Sequence, residues 1–194
     1  MRLHISEGNS KLGKIPNISL PPVATCRKNV PCAEDCYALK AYKLWPAVTQ
    51  AWNENLQYIG VNGLGDYFNA IEVWLGQRNP SHFRWHVSGD ILSKQYLQGV
   101  YTVANTYPDT KFMLFTKRWD LLPVSMVPPS SLSVILSMWP GLPNPKQFPD
   151  YPRAWLSNDK RLPKFYFKCP GRCDECYKCW EITKLGHAVV FDKH

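Results

Sequence analysis

A series of short apolar runs limits what this chain can fold into more than any other feature. "KIPNISL" (Lys14 to Leu20), "FRWHVSGD", "KFMLFTKR", "LSVILSMW", "RAWLSND", "KFYFKC" and the terminal "HAVVFD" each have strand length and strand composition. Helical patterns lie between the early ones. Residues 33 to about 59 read as helix, interrupted at Pro46, whose ring should break or kink it. "DYFNAIEVWLGQ" spaces its apolar residues for a helix that Asp66 can cap, and "SKQYLQGVYTVANTY" offers Ser93 as a cap. Strands alternating with helices or loops predict an α/β fold of parallel βα units. Helices thin out after Trp139, so an incomplete βα barrel or curved open sheet is expected rather than a closed eight-unit barrel. At 194 residues, with no repeat or low-complexity linker, the chain reads as one domain over residues 1–194, and residues 165–194 form a cysteine-rich segment within it.

Each run ends in a polar or metal-competent set: Ser88-Gly89-Asp90, Thr116-Lys117-Arg118, Ser137, Ser157-Asn158-Asp159 and Cys169. In parallel βα folds a site gathers at the C-terminal ends of the strands, so these sets are expected on one rim. His86, inside an apolar run, reads as a hydrogen-bonded core histidine; His4 and His187 have no evident role, and Gly186-His187 reads as a turn. Trp139-Pro140-Gly141 reads as a turn whose indole could wall a pocket or simply pack.

All seven cysteines fall in two tight groups. Cys26, Cys32 and Cys36 are spaced C-x5-C-x3-C; Cys169, Cys173, Cys176 and Cys179 are spaced C-x3-C-x2-C-x2-C within "FKCPGRCDECYKCW". An odd number of thiols without an export signal argues against a disulfide framework, and clustering argues against ordinary core cysteines, which scatter. Metal binding is the expectation. Three thiolates without a fourth ligand suit a [4Fe–4S] cluster with one iron open, or a catalytic zinc with a water; Cys36, near a helix start, would have its thiolate favoured by the helix dipole. Four thiols complete either a [4Fe–4S] cluster or a structural Zn2+ site, and spacing alone leaves iron–sulfur and zinc open. Tyr37 and Trp180, each following the last cysteine of its group, are placed to shield metal from water.

The net charge of +8 suits an anionic partner, whether a small phosphorylated molecule or nucleic acid, but the basic residues are scattered as they are on an ordinary solvated surface. No apolar stretch is long enough to span a membrane, and "MRLHISEGNSKLG" lacks a signal peptide's apolar region; a cytoplasmic location with no membrane partner is expected.

"GNSKLGKIPNISLPP", "TCRKNVPCAEDCYA", "RWHVSGDI", "LFTKRWD", "ILSMWPG" and "CPGRCDECYKCW" resemble the gene product 88-like family of phage and plasmid proteins. More distantly, the chain is similar to radical S-adenosylmethionine (SAM) enzymes, which implies a partial (βα)6-type TIM barrel. That likeness puts a [4Fe–4S] cluster on Cys26, Cys32 and Cys36, with SAM chelated at the open iron and a flavodoxin or ferredoxin as reductant. It implies that Ser88, Gly89 and Asp90 hold the methionyl amino group, that Thr116 and Ser137 contact the methionine and ribose, and that the C-terminal quartet carries an auxiliary cluster. The triplet departs from the superfamily's usual C-x3-C-x2-C by having both gaps longer. A non-SAM iron–sulfur redox or sensor protein of phage origin, and a zinc-stabilised nucleic-acid-binding protein, are the other classes the sequence admits.

Overall fold

The computed structural model describes residues 2–124, 127–182 and 188–192. Among the described residues, eight strands join one sheet in the order β1-β2-β3-β4-β5-β6-β8-β7. They are β1 (Ile5–Ser6), β2 (Asn17–Ile18), β3 (His82–Trp85), β4 (Lys111–Thr116), β5 (Leu132–Ser137), β6 (Arg153–Leu156), β7 (Tyr166–Lys168) and β8 (Ala188–Phe191). Only β1 runs antiparallel, against β2; every other pairing is parallel. The α/β class and the seven apolar runs therefore correspond to strands, and β1 is an addition that two residues in "LHIS" were too short to signal. The terminal run begins within the described residues at Ala188; the expected Gly186-His187 turn lies outside them.

The sheet is open, with β1 and β7 as its edges, and the insertion of β8 between β6 and β7 breaks the sequential order that barrel units follow. Among the described residues, helical crossovers of more than one turn are confined to the first half. α1 (Tyr37–Leu44) and α2 (Pro46–Arg78) lead to β3, and α3 (Lys94–Thr106) leads to β4. Beyond β4 the described helices are single turns, among them α4 (Cys173–Cys176).

Pro46 occupies the first turn of α2, where its missing N–H leaves no bond unmade, so α1 and α2 meet at a Trp45 elbow. α2 is broken once more at Gly63, whose φ of 79° only glycine adopts freely. This break moves the start of its second half ahead of Asp66. The aspartate expected as a cap instead sits in the first turn, where its charge still faces the helix dipole favourably. Residues 33–36 are a 3-10 turn and a cap rather than α-helix. Ser93 caps α3 as expected, accepting from the Tyr96 N–H at 3.1 Å.

Strands buried on both faces need near-continuous apolar sequence, which β4 and β5 have. One face turns Phe83, Trp85, Phe112, Leu114, Val134, Leu136 and Trp155 into the larger core with α2 and α3. Gly99 of α3 lets these helices meet: a Cβ there would lie 2.1 Å from the Phe68 ring of α2. The opposite face turns Met113, Ile135, Ala154 and Val189 toward Leu12 and Ile15 of the N-terminal loop and toward Trp180, Ile182 and the cysteine-rich segment. Two bonds hold that segment in place: Cys173 N–H to Lys11 O at 2.8 Å, and the Trp180 indole N–H to Phe83 O at 3.2 Å. The helices α2 and α3 thus cover one face of the sheet, and the N-terminal loop with the cysteine-rich segment covers the other.

Candidate functional sites on the sheet rim and the sheet face

The C-terminal ends of β2, β3 and β4 lie side by side, so the loops that follow them meet. The loop after β2 carries Cys26. It folds against the loop after β3 through Leu20 N–H to Ser88 O at 3.0 Å. Gly89 permits this approach: its φ is +80°, and a Cβ would fall 2.5 Å from Thr25 Oγ1. Asp90 then ties β3's loop to β4's. Its carboxylate accepts from Thr116 Oγ1 at 2.6 Å, Lys117 N at 2.9 Å and its neighbour Ile91 N at 2.8 Å. A carboxylate offers about four lone-pair sites, so roughly one is left for anything else. Burial lifts its pKa, although those three donors oppose the rise.

The rim therefore assembles Cys26, Cys32 and Cys36 with Ser88, Gly89, Asp90, Thr116 and Lys117, the last five as the run-ending pattern predicted. The Lys117 amine meets the Cys32 thiol and lies 5.6 Å from the centre of the Trp139 ring. Burial pushes Cys26 up to about 11, with Asp90 adding to the rise; burial also raises Cys32, against the opposing pull of Lys117. Cys36 is the N-cap residue of α1, and its side chain makes no capping hydrogen bond. Ser88 is buried and its hydroxyl has no hydrogen-bond partner among the described residues. Ser137 ends β5 on the same edge, half-buried and in register with Ala154.

Other members of the pattern are structural. Asp159 clamps Arg161, whose guanidinium donates to the carbonyls of Leu142 and Trp139, so this pair shapes the turn at Trp139-Pro140-Gly141. Arg118 holds Asp120 and the Ile91 carbonyl. His86 is a core histidine as expected: it is buried, bonds the Tyr96 hydroxyl at 2.9 Å, and burial holds it down at about 3, hence neutral. His4 anchors the N-terminus to Glu54 and Asn55 of α2. Tyr37 reaches the Val87 carbonyl at the rim.

The second thiol group has a different setting. Cys169 follows β7, bonding Val190 O at 2.8 Å, and the next turn brings Cys173, Cys176 and Cys179 into mutual electrostatic range. Cys169, Cys173 and Cys179 pack on the Met113–Ile135 face of the sheet, with Trp180 buried beside them. Burial raises Cys173 and pushes Cys179 up to about 12. Arg84 and Lys11 pull the other way, and neither was a candidate from the sequence. An arginine inside the apolar stretch "HFRWHV" was the available signal.

All seven cysteines are free thiols, and among the described residues no set of three or more His, Cys, Asp or Glu side chains stands in metal-holding geometry. The donor sets nonetheless suit soft metals: three thiols on an open rim, and four beneath a buried arginine. The electrostatic couplings run within each group, and the launching strands β2 and β7 stand near opposite ends of the sheet order.

A family model described as gene product 88 matches residues 3–139. The chain belongs to the gene product 88 family. The matched stretch contains the strands from β1 to β5, the cysteine triplet and its rim partners; the quartet lies beyond it. No curated protein and no solved structure matches the chain. The expected likeness to radical SAM enzymes gains no support from these comparisons. Among the described residues no helix is long and apolar enough to cross a membrane.

Proposed function

We propose that this gene product 88 protein is an iron–sulfur protein with two separate thiol sites: an open [4Fe–4S] site on Cys26, Cys32 and Cys36, and a closed site on Cys169, Cys173, Cys176 and Cys179. The observation that carries this reading is the rim assembly, in which three thiols, Asp90 and Lys117 come from three neighbouring strand ends. Three ligands leave one iron free for an exogenous ligand, and the radical-SAM-like reading makes that ligand SAM, in a sheet that would act as a partial barrel. When bound, such a cluster supplies an electron for reductive cleavage of the SAM sulfur–carbon bond.

The chain's own residues would do the positioning. Lys117 faces a carboxylate or phosphate beside Cys32, and Asp90 has its remaining lone pair for an amino group. The non-SAM reading, a redox or sensor protein, is favoured by one fact: Asp90 already accepts three hydrogen bonds from protein donors. Protein purified and reconstituted without oxygen decides the matter. Iron and sulfide with an EPR spectrum altered by SAM supports the SAM reading; a spectrum indifferent to SAM selects the redox or sensor reading. Colourless protein with stoichiometric zinc and salt-dependent DNA binding would replace both.

A further inference from the structure

Arg84 is buried, 9% exposed, on β3 between two core aromatics. Burying a guanidinium without a partner is costly, so buried arginines are normally paired with carboxylates. Arg84 joins no ion pair among the described residues. Its Nε–H lacks a hydrogen-bond acceptor, and its guanidinium lies 5.3 Å from the centre of the Phe115 ring. The carboxylates nearest in sequence to the thiols, Asp174 and Glu175, are held by Arg172 instead. Arg84 stands in register with Met113 of β4, on whose face Cys169, Cys173 and Cys179 pack, and its charge acts on Cys173 and Cys179, with Lys11 adding to it at Cys173. On the same sheet face, the neighbouring Asn17 amide in β2 also has a buried N–H group without an acceptor.

We propose that Arg84 is the built-in counter-charge and sulfur hydrogen-bond donor of the quartet. Four thiolates around a divalent metal, or around an oxidised [4Fe–4S] core, carry net negative charge; the buried guanidinium offsets it and its orphaned N–H is satisfied by a cysteine sulfur. The inference rests on the quartet holding a metal or cluster. It also explains why a charge is tolerated inside this strand: the loaded site is its missing partner.

The test uses the full chain with Cys26, Cys32 and Cys36 replaced by serine, so that added zinc reads the quartet alone. Zinc affinity is measured by competition with a chromophoric chelator for this background and for Arg84→Met and Arg84→Lys within it, alongside the melting temperature of each metal-free protein. Arg84→Met is expected to weaken zinc binding ~10–100-fold, while leaving the metal-free melting temperature unchanged or raised, because it removes an uncompensated buried charge. Arg84→Lys, which keeps the charge and loses the Nε–H, should fall between. Equal zinc affinity in all three overturns the role of Arg84 alone, as does Arg84→Met destabilising the metal-free chain. A background protein that binds no zinc and takes up no iron overturns the quartet reading and the Arg84 role together.

Discussion

The two thiol groups occupy one sheet yet meet opposite electrostatic surroundings. The triplet lies on the rim, where an anion and a cation face the same loop: burial raises both Cys26 and Cys32, Asp90 adds to the rise at Cys26, and Lys117 opposes it at Cys32. The quartet lies on a sheet face, where the charged groups acting on Cys173 from outside the group, Arg84 and Lys11, are both cations. A rim with mixed charge suits a zwitterionic or exchangeable ligand. A roofed face with a buried cation suits a permanent anionic group. The difference also separates their effects on folding, since the quartet's segment covers the smaller core, whereas the triplet's loop contributes Leu20, ahead of its thiols, to the larger one.

The sharpest way to break this contrast is to remove thiols from each group. Serine at both Cys173 and Cys179 should abolish metal uptake by the quartet and lower the loaded protein's stability by several kcal/mol, on the order of a 10 °C fall in melting temperature. Serine at Cys26 and Cys36 should abolish uptake at the rim with little change in melting. Equal melting losses would erase the distinction.

Acid should strike the frame the two sites share. His86 is held at about 3 by burial first and Arg84 second, far below an unfolded histidine near 6.5. Between those values the unfolded chain binds the extra proton. The stability His86 contributes is therefore complete above about pH 6.5 and is lost as pH falls toward 3, amounting to a few kcal/mol at ~1.4 kcal/mol per unit. Denaturant titrations at pH 7 and pH 4 should show this loss in the wild type and a flatter profile in His86→Phe.

A smaller and local effect is expected at Asp90. Asp90→Asn sets an amide against an N–H donor that the carboxylate accepted, costing ~1–3 kcal/mol. It should disturb metal uptake by the triplet and spare the quartet; loss at both sites would show that the rim and the face are one cooperative unit. Smallest of all, Lys117→Met should change stability by ~1 kcal/mol or less, from its contact with Trp139, and should alter the reactivity of Cys32 toward alkylating agents without altering Cys179.

The strands and the rim were legible because both are local in sequence. A buried parallel strand is a short apolar run, and the polar residue ending it stands at the rim wherever the strand is placed. The order of β8 and β7, the openness of the sheet and the bend at Gly63 depend on packing between distant segments, which no run displays. The same applies to the sites. Asp90 and Thr116 announced themselves at run ends and Cys26 by its place in a thiol cluster, whereas Arg84 sits mid-strand, and its importance comes from having no carboxylate partner among the described residues, which only the folded chain reveals. Asp66 shows the converse: a good capping residue loses that role when a glycine nearby breaks the helix first.

The central claim is that the seven thiols form two independent sites rather than one shared centre. Iron and sulfide content, measured on anaerobically reconstituted full-length protein with either the triplet or the quartet changed to serine, tests it most directly. The account predicts that each variant keeps one cluster of ~4 irons and that the two spectra sum to that of the wild type. Loss of all iron when either group is removed would contradict it.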